Sequence, residues 1–75
     1  MYLYQTYEEK LSHPDIGSYI SFGIIVLIEK NKQKDELFRI SDVSVNKALV
    51  EKLSILCTKE QLDPVHIYDV IEDNI

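Results

Sequence analysis

Apolar and polar residues alternate through the first half of the chain, which is the pattern of β-strands. Residues 19–29, YISFGIIVLIE, give the strongest strand signal, and they are apolar at both sets of alternating positions. Residues 2–12 are rich in Tyr and Thr and predict a first strand, while residues 35–40 predict a shorter third strand. Because its apolar residues point to both sides, the second strand is expected at the centre of the sheet.

Turn residues separate the three predicted strands. Pro14, Asp15 and Gly17 lie together between the first two strands, where proline presets φ and glycine accepts a positive φ. The polar tract KNKQKD separates the second strand from the third. These short connections favour hairpins, and therefore an antiparallel sheet.

The apolar period becomes helical after the third strand. Ser44 is a suitable N-cap, and we expect a first helix over about residues 45–58. Its charged residues lie mostly away from one apolar stripe. The expected stripe consists of Val45, Ala48, Leu49, Leu53, Leu56 and Cys57.

A second helix is expected over about residues 64–73. Asp63 can cap its N-terminus, and Pro64 suits the first helical position, where its missing N–H has no partner in any case. Leu62 and Ile67 have the spacing of a hydrophobic staple. The apolar surface of this helix is expected from Val65, Ile67, Tyr68, Val70 and Ile71.

Together these elements predict an α+β fold in the order β-β-β-α-α. The three-stranded antiparallel sheet would carry both C-terminal helices on one face, in a single small domain over residues 1–75. Two helices can cover only one face, so we expect the face of Ile25 and Leu27 to stay open, with Tyr2 and Tyr4 beside it. A contiguous apolar patch of this kind is typical of a contact with a second copy or another protein.

Composition narrows the possible classes of function. Thirteen acidic residues against eight basic ones give a net charge of −5, which repels nucleic-acid phosphates. The longest uncharged apolar run, FGIIVLI, is too short to span a bilayer, and the N-terminal residues lack the pattern of a signal peptide. The single cysteine excludes an internal disulfide and suits a reducing compartment. We therefore expect a cytoplasmic protein with no nucleic-acid and no membrane partner.

Candidate chemistry is concentrated in the second predicted helix. His66, Asp69 and Asp73 have i, i+3 and i+7 spacing, so they could share one helical face and hold a metal ion or form a His–carboxylate pair. The alternative is a histidine at a helix start beside a solvated carboxylate, since zinc ligands normally come from separate elements. Cys57 could be a nucleophile paired with His66, or a small core residue. We expect no cofactor and no catalytic residue.

Three stretches of the chain resemble a known family. SFGIIVLIEK, RISDVS and VEKLSILCTKEQLDPVHIYDVIED are similar to the domain of unknown function 6514 family, short proteins from Gram-positive, clostridia-like bacteria. The likeness covers residues 19–73, and members often carry a basic residue where this chain has Tyr68. The resemblance implies a small cytosolic protein and no mechanism. Its most specific part, similar to the ending "L-x-P-x-H-x-x-D-V-x-E-D", comprises Leu62, Pro64, His66, Asp69, Val70, Glu72 and Asp73.

The residues after Lys59 carry acidic charge only. They could dock on a basic protein surface or imitate phosphates and so occlude a DNA-binding partner, or they could form a solvated face. The leading hypothesis is a non-enzymatic interaction module that forms a homodimer, or binds another protein, through the open sheet face. The alternatives are a small metal-binding or enzymatic protein centred on His66 and Asp69, and the acidic mimic.

Overall fold

The computed structural model describes residues 1–75 and contains one antiparallel sheet. Its strands are β1 (Tyr2–His13), β2 (Gly17–Lys30) and β3 (Gln33–Ser44). They lie in the order β1-β2-β3, so β2 is central and the other two strands form the edges.

Two helices follow the sheet. Helix α1 spans Lys47–Lys59, and a 3₁₀ turn at Pro64–His66 leads into α2, Ile67–Asn74. Residues from both helices pack in one cluster with residues from one face of the sheet. The predicted α+β fold, with the element order β-β-β-α-α, is confirmed.

The third strand is longer than the sequence pattern indicates. It continues past residue 40 because Asp42 adopts a positive φ of 53° and forms a bulge. The bulge returns Val43 to the core and lets Ser44 pair with Phe22. A period-two pattern does not detect a strand whose register shifts in this way.

The first helix begins two residues later than expected. Asn46, not Ser44, is its N-cap, because Oδ1 of Asn46 accepts a hydrogen bond from the N–H of Leu49 at 3.2 Å. Ser44 is the last residue of β3, and its Oγ accepts from the N–H of Asn46 at 3.1 Å. Ser44, the predicted cap, therefore helps to position Asn46, which is the N-cap in the structure.

The buried stripe of α1 also differs from the expected one. It consists of Val50, Leu53, Ser54 and Cys57, whereas Val45, Ala48 and Leu56 are exposed. Ser54 can occupy a core position because its hydroxyl lies 2.9 Å from Oγ1 of Thr6 in β1. Counting only apolar residues misplaced this stripe.

Asp63 caps the 3₁₀ turn, whereas α2 itself begins at Ile67, three residues later than expected, with His66 as its N-cap. Oδ1 of Asp63 accepts from the N–H of Val65 at 3.1 Å, and Ile67 is fully buried. Val65 and Tyr68 do not contribute to the buried surface as expected, since they are 73% and 60% exposed. Neither helix has the length and apolarity that crossing a membrane requires.

The molecule is elongated, with extents of 44 × 25 × 20 Å. The far end of the β1–β2 hairpin accounts for part of this length. Lys10 and Ile20 pair across the hairpin on the side of the sheet that carries the helices, yet both are exposed. The hairpin therefore extends beyond the cover of the helices.

Candidate functional site

Strand register decides which side chains share the face of the sheet without helices. Leu3 pairs with Leu27, and Gln5 pairs with Ile25, which in turn lies opposite Arg39 of β3. We call this surface the open face. Its residues are Leu3, Gln5, Tyr7, Glu9, Leu11, Tyr19, Ser21, Gly23, Ile25, Leu27, Glu36 and Arg39.

Tyr2 and Tyr4 do not lie on the open face, so their predicted place beside Ile25 and Leu27 is wrong. Tyr4 pairs with Val26, and Tyr2 pairs with Ile28, both on the side of the helices. Alternation separates each strand into two sets of residues, but only the register shows which sets share a face.

The burial of Tyr4 has a chemical consequence. The residue is 4% exposed, and its hydroxyl donates a hydrogen bond to the carbonyl oxygen of Leu62 at 2.6 Å. Burial, together with nearby Cys57 and Asp63, raises the pKa of Tyr4 to about 12. Tyr4 is therefore a core residue that joins β1 to the connection between the helices.

The middle of the open face is covered by the chain itself. The ring of Tyr7 lies on Gly23, so close that an added Cβ would be 2.6 Å from the ring and would also collide with the carbonyl oxygen of Ile40. The guanidinium of Arg39 lies 5.1 Å from the centre of the same ring and pairs with Glu36 through two hydrogen bonds. Bonding to Arg39 also lowers the pKa of Glu36.

One end of the open face is a closed polar network around Asp42. The N–H of Asp42 donates to Glu9 at 2.6 Å, and Ser41 donates to the same carboxylate oxygen at 2.8 Å. The carboxylate of Asp42 accepts from the hydroxyls of Tyr19 and Ser21, and the first of these bonds raises the pKa of Tyr19. Sequence reasoning missed this network because it ended the third strand at residue 40; the one available signal is Asp42, since aspartate tolerates positive φ.

The opposite end of the open face is apolar. Leu3, Ile25 and Leu27 adjoin one another there and are partly buried. Leu3 also lines the groove beside α1, whereas Ile25 and Leu27 face away from both helices. In β3, Arg39 lies opposite Ile25 and Glu36 lies opposite Leu27, and these two charged side chains already bond each other. The apolar end is therefore the part of the open face that another molecule can cover at least cost.

The outer edge of β1 is occupied by side chains over its first part only. Gln61 accepts from the N–H of Tyr2 and donates to its carbonyl oxygen, both at 2.9 Å. Thr58 accepts from the N–H of Tyr4 at 2.9 Å and donates to its carbonyl oxygen at 3.3 Å. We call the remainder of this outer edge, from Thr6 to Ser12, the free edge.

The predicted metal ligands are not brought together. No three His, Cys, Asp or Glu side chains lie close enough to hold a metal ion. His66, Asp69 and Asp73 are exposed, and the backbone N–H of His66 donates to the carbonyl oxygen of Asp63. Cys57 is buried, which raises the pKa of its thiol, and it makes no hydrogen bond to His66.

Two shallow grooves of about 400 Å³ run between β1 and α1. Tyr4, Gln5 and Ile55 line both of them, and Glu51 is the one carboxylate among the lining residues. The hydroxyls of Thr6 and Ser54 in the first groove bond each other, which leaves Gln5 and Glu51 as its polar side chains without a hydrogen bond to the chain. Two exposed side chains in an open groove do not form the enclosed, mostly apolar pocket of a typical ligand site.

Residues 1–75 match the family of unknown function DUF6514. The chain belongs to this family. The match includes β1, which lies outside the 19–73 range of the sequence resemblance. No curated protein and no solved structure matches the chain. Membership of DUF6514 carries no activity with it, so function has to be argued from the open face and the free edge.

Proposed function

We propose that this DUF6514 chain is a non-enzymatic protein–protein interaction module that self-associates through the open face. The observation that carries the proposal is the apolar end, where Leu3, Ile25 and Leu27 adjoin one another without a covering helix. Removing apolar surface from water is worth roughly 25 cal/mol per Å². A second sheet packed on the apolar end would remove these three side chains from water.

The charges around the apolar end favour a second copy over a strongly charged partner. Glu36 and Arg39 already neutralise each other through two hydrogen bonds. The surface therefore offers no single sign of charge to a nucleic acid or to a basic protein. Apolar residues facing their own symmetry mates are self-complementary, as a two-fold contact requires.

The size of the face sets the expected affinity. Three strands of about twelve residues cover roughly 14 × 40 Å, or about 560 Å². A stable interface of standard size buries about 800 Å² per partner. Association through this face alone should therefore be weak, with a Kd in the micromolar range or above.

We also infer a cytoplasmic location and a source among clostridia-like bacteria. The first is supported by the single free cysteine, Cys57, and the second by the resemblance to the family. The net charge of −5 supports the absence of a direct nucleic-acid partner.

The test is a charge placed in the apolar end. Leu27→Lys should reduce association at least tenfold, because an ammonium group cannot be buried there without a partner. The matched control is Val65→Lys, which adds the same charge at a 73% exposed aliphatic position on the other side of the molecule. Size-exclusion chromatography with light scattering, from about 10 µM to 1 mM, measures the mass.

A wild-type chain that stays monomeric at 1 mM would overturn the proposal. So would a Leu27→Lys chain that is folded by circular dichroism and has an unchanged mass. If Leu27→Lys does not fold, Ile25→Gln probes the same surface with a smaller change.

A further inference from the structure

The two edges of the sheet differ in how they are protected against other strands. The pairing of β3 with β2 shifts register between Phe22 and Ile24 and between Val26 and Leu27. The pairing of β1 with β2 runs without a shift from Tyr2–Ile28 to His13–Gly17. Bulges are a common means of blocking edge-to-edge contact, and they occur in the pairing of β3 only. The regular edge of β1 is therefore the one that can pair with another strand.

The direction of the backbone groups of β1 follows from its first residues. Met1 and Glu29 exchange both backbone hydrogen bonds, at 3.2 and 2.8 Å, so odd-numbered residues of β1 face β2. Even-numbered residues then direct N–H and C=O outward, as the bonds of Tyr2 and Tyr4 to side chains confirm. The outward groups of the free edge belong to Thr6, Glu8, Lys10 and Ser12.

We propose that the free edge binds the free edge of a second copy, antiparallel, with the two-fold axis at Glu9. The two three-stranded sheets then form one continuous six-stranded sheet. Glu9 is the middle residue of the segment from Thr6 to Ser12, so this register uses all of its outward groups. It requires no group that already has a partner.

The side chains favour the same register. Glu8 of each chain lies opposite Lys10 of the other, which gives two pairs of opposite charge. On the open face, Tyr7 lies opposite Leu11. The two Glu9 side chains do not meet, because each carboxylate is held toward β3 by Ser41 and Asp42.

Other registers are less favourable. Sliding one strand by two residues places either Glu8 opposite Glu8 or Lys10 opposite Lys10, which brings like charges together. Sliding it by one residue sets outward groups of one strand against inward groups of the other. The charges of Glu8 and Lys10 therefore select one pairing.

The proposed ladder also has defined ends. Beyond Thr6, the next outward residue is Tyr4, which is already bonded to Thr58 and would face Pro14, a residue without an N–H. The partner's turn arrives at the groove between β1 and α1, near Ile55. Ile16 in that turn is 70% exposed, and Ile55 is 68% exposed, so the contact covers an apolar residue from each chain.

The inference depends on the edge of β1 and not on the open face. The two contacts are nevertheless compatible, because one uses the backbone groups of the free edge and the other uses the side chains of the apolar end. Edge pairing doubles the continuous open face from about 560 to about 1,100 Å². Both contacts together give assemblies larger than a dimer.

Charge reversal tests the register. Glu8→Lys or Lys10→Glu alone should raise the Kd of the edge contact about tenfold, because two attractive pairs become repulsive. The double variant, Glu8→Lys with Lys10→Glu, should return the Kd to within about threefold of its starting value. Sedimentation equilibrium of these chains in the Leu27→Lys background isolates the edge from the open face.

A second variant tests the backbone ladder. Lys10→Pro removes an outward N–H that the fold does not use, so the chain should fold and lose edge pairing. Lys10→Thr, which removes the charge but keeps the N–H, is the matched control and should weaken the contact less.

The masses of three chains distinguish failure of this inference from failure of the proposed function. Both are supported if the wild-type chain forms assemblies larger than a dimer and Leu27→Lys and Lys10→Pro each form dimers. A monomeric Leu27→Lys chain, or a double variant no tighter than the single ones, overturns the edge contact. A Leu27→Lys dimer together with a Lys10→Pro monomer supports the edge contact and overturns association through the open face.

Discussion

Gly23 is the residue of the sheet with the least room for change. A methyl group there would meet the Tyr7 ring at 2.6 Å and the carbonyl oxygen of Ile40, which is backbone and cannot turn away. Gly23 is buried at the centre of β2, where both neighbouring strands fix its position.

Gly23→Ala should therefore lower the free energy of unfolding by about 1–3 kcal/mol, the usual cost of overpacking. Urea unfolding followed by circular dichroism measures it. Gly17→Ala is the informative control, because Gly17 has open space around its Cα but a φ of +86°. If Gly23→Ala is no more costly than a surface substitution, the contact with Tyr7 is not as tight as described.

Tyr4 gives the fold a dependence on alkaline pH. Its pKa is raised to about 12 from an ordinary value of 10, so the folded state holds the phenolic proton more tightly than the unfolded state. The corresponding stability is fully present below pH 10 and is lost as the pH rises toward 12. Its main cause is burial, which disfavours the phenolate.

Tyr4→Phe should make the decline in stability between pH 10 and 12 shallower. At neutral pH the same variant should lose about 1–2 kcal/mol, because the carbonyl oxygen of Leu62 loses its 2.6 Å hydrogen bond. Urea unfolding at a series of pH values measures both effects. Tyr68→Phe, at a 60% exposed position, should match the wild type throughout; parallel pH curves for Tyr4→Phe and wild type would contradict the assignment.

At the scale of elements, the end of α1 replaces a missing strand beside β1. Thr58 bonds both backbone groups of Tyr4, and Gln61 does the same for Tyr2. These bonds fix the end of α1 to the outer edge of β1.

Thr58→Val keeps the shape of the side chain and removes both bonds to Tyr4. It should lower the free energy of unfolding by about 1–2 kcal/mol, because two backbone groups lose their partner. Thr58→Ser, which retains the hydroxyl, should lose less, and thermal unfolding compares the two. Equal losses for Val and Ser would mean that the methyl group, and not the hydrogen bonds, carries the effect.

The order of the elements could be predicted because each has a clear local period. The change from period two to the helical period identifies the strands and helices, and Asp63 followed by Pro64 identifies the 3₁₀ turn that leads into α2. The length of β3 could not be predicted, because it depends on the positive φ of Asp42. The buried stripe of α1 could not be predicted either, because Ser54 is accepted into the core through a bond to Thr6 from a distant strand.

The candidate site was less predictable than the fold. Alternation placed Ile25 and Leu27 in one set of β2 residues, but the faces of β1 depend on how the hairpin from His13 to Gly17 sets the register. The same dependence hid Leu3, which adjoins Leu27 across the strands. The free edge could not be predicted, because no local sequence pattern shows that Thr58 and Gln61 bond to β1.

At the scale of the whole molecule, the sheet is larger than the helices can cover. The hairpin extends past them at Lys10 and Ile20 and carries most of the free edge, while the open face lies on the side of the sheet without helices. Because the chain has a single small core, we expect its free energy of unfolding to be small. Assembly through both surfaces would add apolar burial and backbone hydrogen bonds that one copy cannot supply.

The bonds of Thr58 and Gln61 to β1 join residues 54 and 59 positions apart in the chain. At a translation rate of roughly 5–20 residues per second, the first strand leaves the ribosome about 3–12 s before the groups that occupy its outer edge are made. Throughout this interval the whole strand is available to chaperones and to neighbouring nascent chains. During synthesis, the exposed outer edge of β1 is therefore longer than the free edge of the folded protein.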